Sequence, residues 1–262
     1  MLRFIPSEPS SPHAFERIDG AEDARVLVVC DHASHLIPER YGDLGVHSRS
    51  RLDHIAWDIG AGAVARALAG RLGCPAVLAG VSRLVIDCNR QPGDPTSIPA
   101  VSAGIGIPGN RDVDDAEADF RAERWFWPYH HEIGVVLSHL WRHGAAPAMV
   151  SVHSFTPVWQ ECRRPWHVGV LWNRDPRMAV PVLRSLRAHP GLEVGDNEPY
   201  SGREINFTLD THAGAAGLPH VSFEIRQDLL ADETGVAKWA GLLADALGPV
   251  LADPTLHRVE VF

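Results

Sequence analysis

The feature that most limits what this chain can fold into is a regular alternation of short apolar runs with longer segments of helical periodicity. The apolar runs lie at residues 25–30, 76–79, 83–88, 148–152, 167–172 and 220–225. The helical segments lie at residues 60–72, 115–143, 176–189 and 232–251. Several runs are apolar throughout, which indicates strands buried on both faces of a sheet. We predict an α/β fold in which residues 1–262 form a single three-layer α/β/α domain around a mixed, mostly parallel sheet, with residues 1–23 as an N-terminal extension.

Composition and charge argue against several classes of function. The 262 residues include 24 basic and 33 acidic side chains, a formal net charge of −9 with histidine neutral. This acidic balance argues against a nucleic acid or an anionic membrane as partner. No stretch approaches the roughly 20 apolar residues of a membrane span, and the N-terminal residues lack the apolar core of a signal peptide. The four cysteines have neither metal nor disulfide spacing, so we predict a cytoplasmic protein with free thiols.

Polar residues follow four of the apolar runs, where ligands bind in open α/β sheets. These polar segments are residues 30–35, 87–90, 152–155 and 224–228. His32 and His153, from two different runs, together with one carboxylate would form a three-ligand zinc site with an open position. Asp58 is the first choice for that carboxylate, although its position also fits a helix cap. Asp53 and His35 are the competing ligands.

Three more residues carry hypotheses about catalysis and substrate binding. Glu224 lies inside an apolar run, and its position fits either a general base or an ion pair with Arg226 or Arg203. Asn89 and Arg90 directly precede the long loop at residues 91–110. This loop and the segment at residues 197–202 are candidate active-site loops. The pair fits the recognition of a substrate carboxylate, or a surface turn with asparagine in the left-handed conformation.

Seven short strings, in the same order from about residue 25 to residue 230, resemble the N-formylglutamate amidohydrolase family. The strings are residues 31–38, 54–60, 82–90, 151–157, 164–172, 196–202 and 224–228. The resemblance implies a fold similar to that of the zinc carboxypeptidases and aspartoacylases, with zinc at the strand ends. One departure is Ala33-Ser34 after His32, where the better-known members have Ser-Gly.

The resemblance also implies roles for particular residues. It implies that His32, Asp58 and His153 bind one Zn²⁺ ion, in a donor set that other divalent metals also accept. Glu224 then corresponds to the catalytic glutamate.

For the substrate, the resemblance implies that Asn89 and Arg90 hold a carboxylate, and Arg203 is the candidate for a second one. The implied reaction is zinc-dependent hydrolysis of a small-molecule N-acyl amino acid, with N-formyl-L-glutamate, from histidine degradation, as the leading substrate. The alternatives are a zinc deacylase or exopeptidase for another N-acyl amino acid or peptide, and a metal-free module that binds carboxylates on the same fold.

Overall fold

A computed structural model describes residues 12–142 and 144–262 of the chain. Its strands are β1 (Phe15–Ile18), β2 (Val26–Cys30), β3 (Ala76–Ala79), β4 (Val101–Ser102), β5 (Ile105–Gly106), β6 (Ala148–Phe155), β7 (Val158–Trp159), β8 (Cys162–Arg163), β9 (Val168–Leu171), β10 (Val194–Asp196) and β11 (His220–Arg226). Seven of them form one sheet in the order β1-β3-β2-β6-β11-β9-β10, while β4–β5 and β7–β8 are separate hairpins. The sheet is therefore mixed, as predicted.

Four central strands of the sheet run in one direction. Strand β2 is parallel to β3 and β6, and β11 is parallel to β6, whereas β1 and β9 are antiparallel to their neighbours β3 and β11. All residues of β2, β3 and β6 are buried, because helices cover both faces of the sheet. The carboxyl ends of β2, β3, β6 and β11 consequently meet at one edge of the sheet.

The helices pack in two layers around the sheet. They are α1 (Ser48–Arg51), α2 (Ala61–Leu72), α3 (Asp115–Arg121), α4 (Trp127–Trp141), α5 (Pro176–Arg187), α6 (Phe207–His212) and α7 (Glu233–Leu251). Helices α2, α5 and α7 contribute to one apolar cluster with the sheet, and α4 and α6 contribute to a second. The helix predicted at residues 115–143 is divided by a π-helical turn at Ala122–Phe126, and residue 143 lies outside the described residues.

Strand β1 lies inside the segment that the sequence suggested was an extension. Its Glu16 forms a two-point ion pair with Arg66 of α2, and its Arg17 contacts Glu132 of α4 with an Nη1–Oε1 distance of 2.8 Å. Helices from both layers thereby hold this edge strand. The part of the predicted extension at residues 1–11 lies outside the described residues.

The prediction of a strand at residues 83–88 is wrong, because the chain turns there. Ser82 Oγ accepts a hydrogen bond from the Leu84 amide and donates one to the Ala56 carbonyl, and the Val85 amide donates to the Ser82 carbonyl. The apolar side chains of the run are buried in a third cluster, beneath the loops at the edge of the sheet. An apolar run reports burial, and a buried turn and a buried strand share that signature.

None of the helices in the described residues has the length and apolar character needed to cross a bilayer. Cys30, Cys74, Cys88 and Cys162 are free thiols, and only the last of these four is exposed.

Candidate functional site

The carboxyl edge of the sheet brings together His32, Asp58 and His153. His32 follows β2, and His153 lies within β6, which continues to Phe155 instead of ending at residue 152. All three side chains are buried. Asp58 comes from the turn before α2, and it reaches the strands because the connection folds back over them.

Backbone hydrogen bonds fix the position of Asp58. Its amide donates to the His32 carbonyl at 3.0 Å, and Ser154 Oγ on β6 donates to the Ile59 carbonyl at 2.8 Å. Helix α2 is capped by Gly60, with no side-chain hydrogen bond at that cap. The alternative that Asp58 caps α2 is therefore wrong, and its carboxylate faces the two histidines.

Both imidazole rings direct Nδ1 at the same carboxylate oxygen. Asp58 Oδ2 lies 3.3 Å from His32 Nδ1 and 2.8 Å from His153 Nδ1. Potential ligand atoms of these three residues all lie within 4.8 Å of one another. Ligand atoms of a tetrahedral zinc ion are about 3.3 Å apart, given a bond length of about 2.0–2.1 Å. The donor set and its spacing therefore fit a divalent metal.

Each ring is held by a second carboxylate on its other nitrogen. Asp87 Oδ1 lies 2.7 Å from His32 Nε2, and Asp31 Oδ2 lies 3.1 Å from His153 Nε2. With a metal on Nδ1, each ring would keep its proton on Nε2 and donate it to this second carboxylate, which is the usual outer shell of a histidine metal site. The sequence reasoning gave Asp31 and Asp87 no role, although both lie in the polar segments that follow apolar runs.

The outer carboxylates are themselves held by neighbours. Asp31 Oδ1 accepts hydrogen bonds from Tyr129 Oη at 2.9 Å and from Thr208 Oγ1 at 2.7 Å. Asp87 accepts from the Asn89 amide at 2.8 Å and from Arg83 Nη2 at 2.6 Å. The orientation of both rings is thus set by α4, α6 and the turn at residues 82–90.

Arg83 is a second group at the site that the sequence reasoning did not select. Besides its bond to Asp87, its Nη1 lies 3.7 Å from Asp58 Oδ1, and a quarter of its side chain is exposed. It therefore presents a positive charge beside the candidate ligand set.

The charges of the site shift several pKa values. Burial opposes a charged imidazolium at His153, yet hydrogen bonds to Asp31 and Asp58 raise its pKa well above the ordinary value. The pKa of His32 is also raised, because the carboxylates of Asp87 and Asp58 outweigh burial and the charge of Arg83. Burial opposes ionisation of Asp31 as well, but contact with His153 lowers its pKa to about 2. Metal binding must therefore displace protons from both rings.

Glu224 lies on β11 directly beside His153 in the parallel pairing with β6. Its side chain is buried, and its Oε2 has no hydrogen-bond partner among the described residues. Burial raises its pKa to about 7, with the charge of Asp58 adding to the effect and that of His153 opposing it. The ion pairs considered for Glu224 do not form, since Arg226 binds Asp228 instead and Arg203 lies over the ring of Trp172.

The predicted carboxylate-binding residues occupy different environments. Asn89 is buried, its Oδ1 accepts from the Thr208 amide at 3.0 Å, and its φ is not positive, so the alternative of a left-handed surface turn is wrong. Arg90 is half-buried, and its Nη1 donates to the Asn89 carbonyl. Arg203 is exposed, with its guanidinium carbon 5.7 Å from the centroid of the Trp172 ring.

The two competing ligands lie outside the group of converging atoms. Asp53 accepts hydrogen bonds from the amide and Nδ1 of His54, and the ring of His35 packs against that of Trp57 with centroids 4.8 Å apart. Neither belongs to the set of ligand atoms within 4.8 Å of one another.

Comparisons with known proteins show what the chain as a whole is similar to. The sequence model of the N-formylglutamate amidohydrolase family matches residues 24–231. The structure of gene product Atu2144 from Agrobacterium tumefaciens is similar, with a TM-score of 0.88 and 37% identity over 92% of this chain and 95% of that one. N-formylglutamate amidohydrolase from Ralstonia eutropha JMP134 has the same fold, with a TM-score of 0.62 and 20% identity over 95% and 98% of the two chains. No curated protein matches the chain.

Proposed function

This chain belongs to the N-formylglutamate amidohydrolase family, and from that premise we propose that it is a zinc-dependent enzyme that hydrolyses N-formyl-L-glutamate to formate and L-glutamate. One observation carries the proposal. Two histidine nitrogens and a carboxylate converge beside a buried carboxyl group, that of Glu224, whose pKa is about 7 and whose Oε2 has no partner in the part of the chain that the structure describes. A metal site with an adjacent base is the arrangement that metal-assisted amide hydrolysis needs.

His32, Asp58 and His153 would hold the metal. Their donor set of two imidazoles and one carboxylate is typical of catalytic zinc, and the outer carboxylates Asp87 and Asp31 suit such a site. When bound, zinc supplies a Lewis acid that polarises the amide carbonyl and makes water acidic enough to ionise near neutral pH.

Glu224 is the proton carrier in this proposal. It accepts the proton of the attacking water at Oε2 and gives it to the nitrogen of the breaking amide bond, which leaves as the amino group of glutamate. A base works best when its pKa lies near the working pH, and burial raises the pKa of Glu224 to about 7.

Positive groups and amide donors support the substrate. Arg83, beside Asp58, offsets the negative charge that develops on the carbonyl oxygen. Asn89 uses Oδ1 for the Thr208 amide, which leaves its NH₂ group, together with the guanidinium of Arg90, to bind the α-carboxylate. Histidine degradation as the pathway and the cytoplasm as the location stay predictions.

The test is formate release from N-formyl-L-glutamate by protein reconstituted with zinc. We expect activity that is lost on chelation and that falls about 10²–10⁴-fold in Glu224→Gln, the range for removal of a general base. Glu204→Gln, at an exposed glutamate, is the matched control and should keep full activity. A zinc-loaded protein that releases no formate would contradict the proposal. Faster release of acetate from N-acetyl-L-glutamate would instead indicate the deacylase alternative.

A further inference from the structure

A half-buried arginine, Arg164, lies in an aromatic box just outside the catalytic residues. It follows the β7–β8 hairpin. Its guanidinium carbon lies 4.9, 5.4 and 5.6 Å from the ring centroids of Tyr200, Trp159 and Phe155. Three rings around one guanidinium fix its plane, because cations prefer the face of an aromatic ring. The three rings therefore hold the guanidinium in place.

The box lies next to the proposed proton carrier. Phe155 is two residues beyond His153 on the same strand. Tyr200 lies within reach of the charge of Glu224, which adds to the effect of burial in raising the pKa of the phenol. A ligand on Arg164 would consequently lie close to a group reacting at Glu224.

The backbone around Arg164 is also fixed. Arg226, two residues after Glu224 on β11, directs its Nη1 at three consecutive carbonyl oxygens, those of Arg164, Pro165 and Trp166, at 3.3–3.4 Å. The strand that carries the proton carrier thus also positions the segment that carries the arginine. A binding group needs this kind of rigid support.

The hydrogen bonds of Arg164 occupy one side of its guanidinium. Nη1 donates to Tyr200 Oη at 3.1 Å and makes longer contacts, at 3.5 Å, with the carbonyl and Oγ1 of Thr156. Within residues 12–142 and 144–262, Nε and Nη2 donate to no protein group, and no carboxylate lies within 4.0 Å of the guanidinium. Nε and Nη2 form the edge of a guanidinium that binds a carboxylate with two parallel hydrogen bonds.

We propose that Arg164, in the box formed by Phe155, Trp159 and Tyr200, binds the side-chain carboxylate of the substrate and so selects dicarboxylic N-acyl amino acids. This inference rests on the proposed function. It assigns the second carboxylate to Arg164, whereas the sequence suggested Arg203, which is exposed and stacks on a different ring, that of Trp172.

The kinetic test compares N-formyl-L-glutamate with N-formyl-L-glutamine, which lacks only the negative charge of the side chain. Arg164→Met keeps an apolar side chain in the box and removes the guanidinium. We expect its KM for the glutamate substrate to rise about 10- to 100-fold, the range for a lost hydrogen bond to a charged group, while the glutamine substrate changes little. Arg203→Met is the matched control and should leave both substrates unaffected.

A binding test separates this inference from the proposed reaction. Titration calorimetry with L-glutamate and L-glutamine measures the preference for a second carboxylate without turnover. If wild-type protein hydrolyses neither substrate but prefers glutamate, and Arg164→Met abolishes that preference, the subsite stands although the reaction fails. If wild-type protein hydrolyses the glutamate substrate and Arg164→Met keeps the full preference, the subsite is wrong although the reaction stands.

A second neutral variant covers the case in which Arg164→Met does not fold. Arg164→Gln keeps a polar group that can hydrogen bond to Tyr200 Oη, and its folding is checked by circular dichroism. Loss of the glutamate preference in this variant supports the subsite. Retention of that preference, or its loss in Arg203→Met alone, overturns it.

Discussion

Asp31 and Asp87 hold the rings of His153 and His32 from the side opposite Asp58. A neutral imidazole carries one proton, and a ring that binds a metal through Nδ1 carries that proton on Nε2, where a carboxylate can accept it. The three carboxylates of the site therefore have two different tasks. Asp58 is a candidate ligand, and the other two would accept the Nε2 proton of a metal-bound ring and hold its orientation.

We expect Asp87→Asn and Asp31→Asn each to weaken zinc binding by about 10- to 100-fold, because the ring loses the acceptor that orients it. Competition with a chelating dye measures the affinity. Asp94→Asn is the matched control, since Asp94 is exposed and its carboxylate accepts hydrogen bonds from the nearby Thr96. Unchanged affinity in both buried variants would show that these carboxylates do not support the metal site.

The titration of Glu224 predicts the acid side of the pH profile. Burial raises its pKa from the ordinary value of 4.5 to about 7, and a carboxyl group acts as a base only when ionised. The value of kcat/KM should therefore fall as the pH drops through this pKa, and a bound cation moves the midpoint downward, toward 4.5. Steady-state kinetics across that range measures the midpoint. A profile that is flat between pH 7 and 4.5 would exclude Glu224 as the base.

At the scale of elements, the turn into α2 decides where Asp58 lies. Gly60 has a φ of +83°, a conformation that residues with a side chain rarely adopt. A Cβ at this position would lie only 2.5 Å from Leu230 Cβ. The tight passage between Asp58 and the helix therefore requires glycine, and a larger residue would displace the carboxylate together with the turn.

Two glycine substitutions in this region should have opposite effects. Gly60→Ala should destabilise the protein by about 1–3 kcal/mol through strain and crowding, and should also weaken zinc binding. Gly70→Ala lies within α2 in open space, and it should stabilise the protein by up to about 1 kcal/mol. Denaturant unfolding measures both effects. Equal stability of the two variants would contradict the role given to Gly60.

The sequence predicts the elements whose signal is local and misses those whose signal is not. Apolar runs locate β2, β3, β6, β9 and β11 because these strands are buried on both sides. The short strand β1 is missed, since charged Glu16 and Arg17 interrupt its apolar pattern and find their partners on α2 and α4. The turn at residues 82–90 is taken for a strand for the opposite reason, because its apolar side chains are buried.

The candidate site shows the same division. His32 and His153 are selected because each follows or ends an apolar run. The tasks of Asp31, Asp87 and Arg164 depend on partners that are distant in the chain, such as Tyr129 for Asp31 and Tyr200 for Arg164. These contacts form only in the folded chain, so a local sequence pattern does not predict them.

For the whole molecule, the metal would join parts of the chain that are far apart in sequence. The proposed ligands come from the end of β2, the turn before α2, and β6. A ligand that binds only the folded state stabilises it by about 2.7 kcal/mol when present at a hundredfold excess over its dissociation constant. Zinc should therefore act as a clamp on the central sheet.

We expect zinc to raise the thermal unfolding midpoint and a chelator to reverse the shift. His153→Asn should remove most of the shift, because one of the three ligands is lost. His189→Asn, at an exposed position after α5, controls for zinc bound at the surface and should keep the shift. Differential scanning calorimetry measures the midpoints. An equal shift in both variants would show that the stabilising zinc binds outside the proposed site.

The edge strands of the sheet, β1 and β10, are short, and their length bears on self-association. An open strand edge is a template on which another chain can add a strand, and such addition leads to fibrils. Here β1 has four residues and is tied by ion pairs to helices on both faces, while β10 has three residues and is followed by Asn197 with a φ of +53°. Neither edge strand is long or flat enough to template the addition of further strands. We therefore expect the sheet to resist edge-to-edge aggregation when the protein is concentrated.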